Sequence, residues 1–166
     1  FNIDVRLEEE VLDVDVANKA VITTKGTYEY DKLVFATGAR SVVPPIKNLE
    51  TTTNWSTCRS LQDYDKIMKE VMDEDAEHVT VLGGGLIGVE VAENLIEAGK
   101  KVTLVEGYDQ ILPMWDPKFS YFAKNALEEK GIEVVTSTFV KAFDRNGDRI
   151  NKVILGEEDY INTDFV

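Results

Sequence analysis

Cysteine and histidine are nearly absent from this sequence. Its 166 residues include one cysteine, Cys58, and one histidine, His78. A single thiol cannot close an internal disulfide, and a histidine without a second histidine or a cysteine nearby lacks the usual spacing of a metal site. We therefore expect no bound metal, a structural thiol at Cys58 and a protein of the reducing cytoplasm.

Basic residues and long apolar runs are also scarce. The chain has 18 lysines and arginines against 31 aspartates and glutamates, which gives a formal net charge of −13 at pH 7. This charge repels a phosphate backbone, so we expect no nucleic-acid partner. A membrane-spanning helix needs about 18 consecutive apolar residues. The sequence has no such run and no signal-peptide pattern, so we expect no membrane partner.

From residue 60 onward, strand and helix patterns alternate. Apolar residues at three- and four-residue spacing predict helices, and short apolar runs between them predict buried strands. The pair Asn146-Gly147 then predicts a hairpin among short antiparallel strands. This order predicts an α/β fold, a Rossmann-type parallel sheet with helices on both faces plus a β-meander. The predicted strands cover 79–82, 102–105 and 132–135, and a helix that begins at residue 60 ends in the acidic run 73–75.

The stretch "VTVLGGGLIGVEVAENL", residues 79–95, places a glycine fingerprint between a strand and a helix. Gly83 allows a tight turn, Gly85 lets a dinucleotide pyrophosphate reach the main chain, and Gly88 lets the helix pack closely on the strand. The N–H groups of the helix that begins near Leu86 attract the phosphates. The pattern predicts a dinucleotide site, and a turn that serves packing alone is the alternative.

Glu106 ends the next predicted strand. A carboxylate at this position can accept hydrogen bonds from both ribose hydroxyls of an adenosine, and it repels a 2′-phosphate. No arginine follows Glu106 directly, so we expect NAD(H) rather than NADP(H). The expected cofactor-binding residues in this region are Gly83, Gly84, Gly85, Leu86, Ile87, Gly88 and Glu106.

Two stretches of the chain, 3–35 and 132–166, share one pattern. In each, a strand leads through a polar link into a β-hairpin and then to an aspartate before an apolar strand. Chance similarity between two β-meanders explains this as well as a true repeat does. A true repeat would make the chain a piece of a longer protein built from two similar units.

Three segments together resemble a known family. They read "YDKLVFATGARSVVPPI", "TCRSLQDYDKI" and "VTVLGGGLIGVEVAENLIEAGKKVTLVEGYDQILPMWDP". In this order they are similar to the FAD-dependent pyridine nucleotide-disulfide oxidoreductases, and most of all to the branch of NADH oxidase, NADH peroxidase and coenzyme A-disulfide reductase. The resemblance favours the true repeat, because the FAD and NAD domains of the family are similar to each other.

The resemblance implies two domains. Residues 1–49 would be the C-terminal piece of an FAD-binding domain, with a β-meander and a closing strand. Residues 50–166 would be an NAD(H)-binding Rossmann domain that lacks its last strand. The family's main FAD-binding unit and redox cysteine have no counterpart here, so we expect a fragment that has no catalytic residue and is inactive alone. The intact protein would bind FAD and form a homodimer.

In the intact protein, the resemblance implies hydride transfer from NADH to FAD and then to a disulfide, a peroxide or oxygen. Its partners would be NADH and the remainder of the flavoprotein. Glu90 matches a family glutamate near the nicotinamide, although a surface carboxylate near a helix N-terminus explains it equally well. Leu86 replaces the aromatic residue with which many members cover the flavin. A non-catalytic, NAD(H)-responsive binding or redox-sensing module is the alternative function.

The last residues of the given sequence lead to a prediction about the edge of the parallel sheet. The segment "TDFV", residues 163–166, would begin the final parallel strand of the sheet. We expect residues 32–37 to fill the position beside strand 79–82, either within the chain or by strand exchange with a neighbouring copy.

Overall fold

The computed structural model describes residues 3–73 and 76–166, which form two compact units. One unit ends at Ala39 and the other begins at Arg40. The sequence predicts the domain border later, between residues 49 and 50. The residues between these two positions belong with the second unit, because Lys47 pairs with Ala142 and Leu49 is buried in a cluster with Phe143.

The first unit is a three-stranded antiparallel sheet. Its strands β1 (Val11–Asp15), β2 (Ala20–Thr23) and β3 (Thr27–Glu29) pair in chain order. The Tyr28 hydroxyl anchors the segment before β1, because it accepts a hydrogen bond from Arg6 Nη1 at 2.9 Å and donates one to Glu9 Oε1 at 2.8 Å.

The second unit opens with a linker and a short helix. Helix α1 (Leu61–Met68) begins at a capping box, in which the Ser60 hydroxyl accepts from the Asp63 N–H and the Asp63 carboxylate accepts from the Ser60 N–H. The chain continues as a π-helical turn, Lys69–Asp73. Glu74 and Asp75, where the sequence predicts the end of this helix, lie outside the described residues.

A parallel sheet forms the centre of the second unit. Strands β4 (His78–Leu82), β5 (Lys101–Val105) and β6 (Glu133–Val135) lie in this order. Helix α2 (Leu86–Glu97) connects β4 to β5, and helix α3 (Pro117–Glu129) connects β5 to β6. All three strands and α2 occur where the sequence predicts them, within a few residues, and α3 follows β5 as the alternating pattern predicts.

The end of the chain lies on the free edge of β4. Phe165 pairs with Val79 in parallel, and the Thr80 N–H donates to the Phe165 carbonyl at 2.9 Å. The prediction that residues 163–166 begin a further parallel strand is confirmed. The prediction that residues 32–37 fill this position within the chain is wrong, since Phe165 holds it and residues 32–37 form no strand. The preceding meander brings Phe165 to that edge over a short connection.

This meander consists of β7 (Ala142–Asn146), β8 (Arg149–Ile154) and β9 (Tyr160–Asn162). The predicted hairpin between β7 and β8 is confirmed. Gly147 in its turn has φ of 66°, a conformation that glycine adopts without steric cost.

Different elements pack on the two faces of the parallel sheet. On one face the strand residues pack with Ala92 and Leu95 of α2 and Leu127 of α3, while on the other they pack with the meander. The fold class is confirmed with one correction: in the described part of the chain the crossover helices cover one face and the meander covers the other. Connections between parallel strands are right-handed. The connections from β4 to β5 and from β5 to β6 run in the same direction along the sheet, so their helices lie on the same face.

Candidate functional site

A tight turn joins the end of β4 to α2. Gly83 has φ of 105°, a conformation that side chains rarely adopt, and its N–H donates to the Val105 carbonyl at 2.8 Å. Gly85 then caps α2, and its carbonyl accepts the first helical hydrogen bond from the Val89 N–H at 3.0 Å. The tight turn predicted at Gly83 is confirmed. It places the N-terminus of α2, whose first N–H groups have no partner within the helix, at the carboxyl end of β4.

Gly88 lies where the first turn of α2 touches the glycine turn. A β-carbon added to Gly88 would overlap the Gly83 carbonyl oxygen and lie 3.1 Å from the Gly83 carbonyl carbon. Backbone atoms cannot move aside as the tip of a side chain can. The close helix-to-strand packing predicted for Gly88 is therefore confirmed.

Gly84 and Gly85 differ in what surrounds them. Gly84 is buried, and an added β-carbon would lie 2.8 Å from Ile111 Cγ2. At Gly85 an added β-carbon would meet nothing within 4 Å, and φ is an ordinary −74°. Neither packing nor conformation requires a glycine at position 85. Because Gly85 has no side chain, the main chain at the start of the helix faces open space.

Glu106 follows β5 directly and is buried beside the turn, with 8% of its surface exposed. Its Oε2 accepts a hydrogen bond from the Gly84 N–H at 2.6 Å, and its Oε1 accepts one from the Tyr108 N–H at 2.8 Å. Each carboxylate oxygen has a second lone pair for a further donor. The structure thus brings Glu106 together with the glycine turn, as a carboxylate fixed by main-chain donors.

The remaining predicted site residues lie along the start of α2. Leu86 and Ile87 are 62% and 60% exposed, which is unusual for large apolar side chains at the start of a packed helix. Glu90 is exposed on the next turn of α2, where its carbonyl accepts from Asn94 Nδ2 at 2.7 Å.

An open cavity of about 640 Å³ adjoins the glycine turn. Leu86 and Ile87 line it together with three segments that the sequence did not predict for the site, residues 41–44, 55–58 and 165–166. The exposed Cys58 is among these lining residues. Most of the lining is apolar. No local pattern in the sequence marks these segments, because the fold gathers them from distant parts of the chain.

His78 lies at the opposite end of β4 from the glycine turn. Its Nε2 is 2.9 Å from Thr103 Oγ1, which donates to Glu133 Oε2 at 3.1 Å. Burial and the nearby Lys101 ammonium lower the pKa of His78 below its ordinary value. Within residues 3–73 and 76–166 there is no cluster of three or more histidine, cysteine, aspartate or glutamate side chains suited to a metal ion. No helix in that part of the chain is long and apolar enough to span a membrane.

The chain as a whole matches one protein family. A family model described as "Pyridine nucleotide-disulphide oxidoreductase" matches residues 1–166. The NADH oxidase of Enterococcus faecalis (strain ATCC 700802 / V583) is 33% identical, over 94% of this chain and 36% of the relative. A nitric oxide reductase FlRd-NAD(+) reductase of Pectobacterium atrosepticum is 38% identical, over 81% of this chain and 35% of the relative.

Solved structures have the same fold. The crystal structure of reduced Bacillus anthracis CoADR-RHD superposes with a TM-score of 0.83 at 34% identity, and the match covers 99% of this chain and 30% of that one. The chain therefore spans about a third of the length of these relatives.

Proposed function

We propose, since the chain belongs to the pyridine nucleotide-disulphide oxidoreductase family, that it binds NAD(H) at the Gly83–Gly88 turn. It would form the NAD(H)-binding part of a flavin-dependent oxidoreductase. Two relatives, an NADH oxidase and an FlRd-NAD(+) reductase, carry this cofactor in their names. The relatives support the kind of reaction, and the geometry of the turn supports the binding site.

The open main chain at Gly85 is the observation that carries this proposal. A pyrophosphate needs close access to N–H groups at a helix N-terminus, and a side chain at position 85 would take that space. The space beside Gly85 is open, although neither packing nor backbone conformation requires a glycine there. The residues present therefore fit a dinucleotide, with Gly85, Leu86 and Ile87 next to its phosphates.

Glu106 would hold the adenosine ribose of this dinucleotide. Its two oxygens are already fixed by the Gly84 and Tyr108 N–H groups, so the remaining lone pairs are oriented before a ligand arrives. A 2′-phosphate would meet this buried negative charge at short range. We therefore propose NAD(H) rather than NADP(H) as the ligand.

The apolar cavity beside Leu86 would receive the nicotinamide end. A cavity of this size with a mainly apolar lining is typical of small-molecule sites. Glu90 lies one turn along α2 from this region and would help to place the carboxamide. In the whole protein NADH would pass a hydride to FAD, which supplies electrons to a disulfide, a peroxide or oxygen.

We also propose the larger organisation of the whole protein. Residues 1–49 would be the C-terminal piece of its FAD-binding domain, although Lys47 and Leu49 contact residues of the NAD(H)-binding domain that 50–166 would form. The intact protein would be a cytoplasmic homodimer, and this chain alone would bind NADH without turning it over.

Substitution of Gly85 by alanine tests the binding site. The new methyl group meets no protein atom, so we expect only a small loss of thermal stability, since alanine is a poorer N-cap residue than glycine. We expect NADH affinity to be at least about ten-fold weaker by calorimetric titration. Gly26→Ala is the matched control, because its added β-carbon makes an ordinary contact 3.5 Å from the Tyr28 hydroxyl in the first unit. Equal NADH affinity of the two variants would contradict the proposed site.

The full-length protein tests the proposed reaction. We expect it to show visible flavin absorbance that disappears on anaerobic addition of NADH. NADH binding by a full-length protein that carries no flavin would support the non-catalytic binding module instead.

A further inference from the structure

The proposed ligand runs across the sheet in a fixed direction. Gly85 lies at the carboxyl end of β4, and Glu106 lies at the carboxyl end of β5. The next strand in the sheet is β6. A dinucleotide with its pyrophosphate at Gly85 and its ribose at Glu106 therefore extends toward the loop that follows β6, residues 136–139. This argument rests on the proposed function.

Main-chain hydrogen bonds fasten this loop to the ribose end of the site. The Thr138 N–H donates to the Glu106 carbonyl at 3.1 Å, and the Ser137 N–H donates to the Tyr108 carbonyl at 2.7 Å. Ser137 has φ of 55°, a conformation that costs energy in a residue with a side chain and needs such fixed surroundings. The loop is thus held in one position relative to Glu106.

Phe139 at the end of this loop lies on Gly107. A β-carbon added to Gly107 would be 2.7 Å from Phe139 Cζ, so the absence of a side chain at position 107 makes room for the ring. Phe139 nevertheless remains 70% exposed. A large aromatic side chain is therefore positioned directly after the ribose-binding carboxylate, with most of its surface in water.

We propose that Phe139 forms the surface on which the adenine ring of NAD(H) packs. Gly107 supplies no side chain at the ribose end, and the Phe139 ring provides apolar surface in its place. Stacking of a base on an aromatic ring removes the exposed surface of both from water. Phe139 is thus a binding residue for the adenosine half and has no contact with the nicotinamide half.

Three ligands, NADH and two of its fragments, and four variants test this role in the 166-residue chain. Reduced nicotinamide mononucleotide lacks the adenosine half of NADH, and ADP-ribose retains it. We expect Phe139→Ala to bind NADH and ADP-ribose about ten-fold or more weakly, with unchanged affinity for the mononucleotide. Phe139→Tyr keeps the ring and should restore the affinity for NADH.

Phe122→Ala is the control, and Tyr108→Ala tests the competing aromatic side chain. Tyr108 is the other exposed aromatic residue next to Glu106, and Phe122 is 67% exposed on α3, in the crossover from β5 to β6. We expect Phe122→Ala to bind NADH as the unchanged chain does, and Phe139→Ala to lose more NADH affinity than Tyr108→Ala loses. A loss of NADH affinity in Tyr108→Ala but not in Phe139→Ala would overturn the assignment to Phe139, as would an equal loss for the mononucleotide.

The test also separates this inference from the proposed function. If the unchanged chain binds NADH and Phe139→Ala binds it equally well, the inference alone is overturned. If the unchanged chain binds neither NADH nor ADP-ribose, the proposed function fails and the inference fails with it.

Discussion

The carboxylate of Glu106 ties the ends of two strands together. Its oxygens accept from the N–H groups of Gly84, just after β4, and Tyr108, just after β5. The same carboxylate that would hold a ribose therefore also fixes the turn that would hold the phosphates. At the scale of single residues, binding and folding therefore depend on one side chain.

Substitution of Glu106 by glutamine should reveal this double role. The amide keeps one acceptor oxygen but replaces the other with a donor, so one of the two main-chain N–H groups loses its partner. We expect the free energy of unfolding to fall by about 2 kcal/mol in urea denaturation, together with a loss of NADH affinity. Glu157→Gln removes the same charge at an exposed position and is the control. Equal stability of the two variants would contradict the role of Glu106 as a clamp.

At the scale of elements, Asn54 connects three parts of the second unit. This fully buried side chain donates to the carbonyls of Ile150 at 2.9 Å and Asp164 at 2.7 Å, and it accepts from the Ile150 N–H at 2.6 Å. It joins the linker before α1 to β8 of the meander and to the segment on the edge of β4. The linker thereby reaches the apolar cavity in a defined position.

We expect Asn54→Ala to lower the free energy of unfolding by about 3 kcal/mol or more, because it leaves buried main-chain groups unpaired and opens a void. Asn151 is an exposed asparagine of β8, the strand that Asn54 contacts. We expect Asn151→Ala to change stability little. Chemical denaturation of both variants measures the difference. Similar midpoints for the two would show that the Asn54 contacts contribute little to the fold.

At the scale of the whole molecule, every residue of the candidate site lies in the unit that begins at Arg40. The glycine turn, Glu106, Phe139 and the cavity lining are all within residues 40–166. The first unit has its own sheet, and its network of Arg6, Glu9 and Tyr28 is internal to it.

We therefore expect residues 40–166, produced without the first unit, to fold and to bind NADH as tightly as the whole chain does. Circular dichroism and calorimetric titration provide the measurement, with the whole chain as reference. If the shortened chain folds but no longer binds NADH while the whole chain does, the site depends on residues before Arg40.

The sequence predicted the parts of this molecule that local chemistry controls. The periodicity of apolar residues predicted β4 to β6 with their crossover helices, and the Asn146-Gly147 pair predicted the hairpin. The spacing of the glycines predicted the turn at Gly83 and the close packing at Gly88, because each depends on the residue itself and its near neighbours. Family motifs in the correct order predicted the family.

Tertiary structure decided which segments that are distant in the chain come into contact. The meander covers the second sheet face, and Phe165 takes the edge of β4 that residues 32–37 were predicted to fill. The cavity gathers segments far apart in the chain, and Phe139 reaches Gly107 from the loop after another strand. Such contacts depend on which of several competing surfaces pack together. The free-energy difference between these arrangements depends on the whole fold, so no local sequence pattern predicts it.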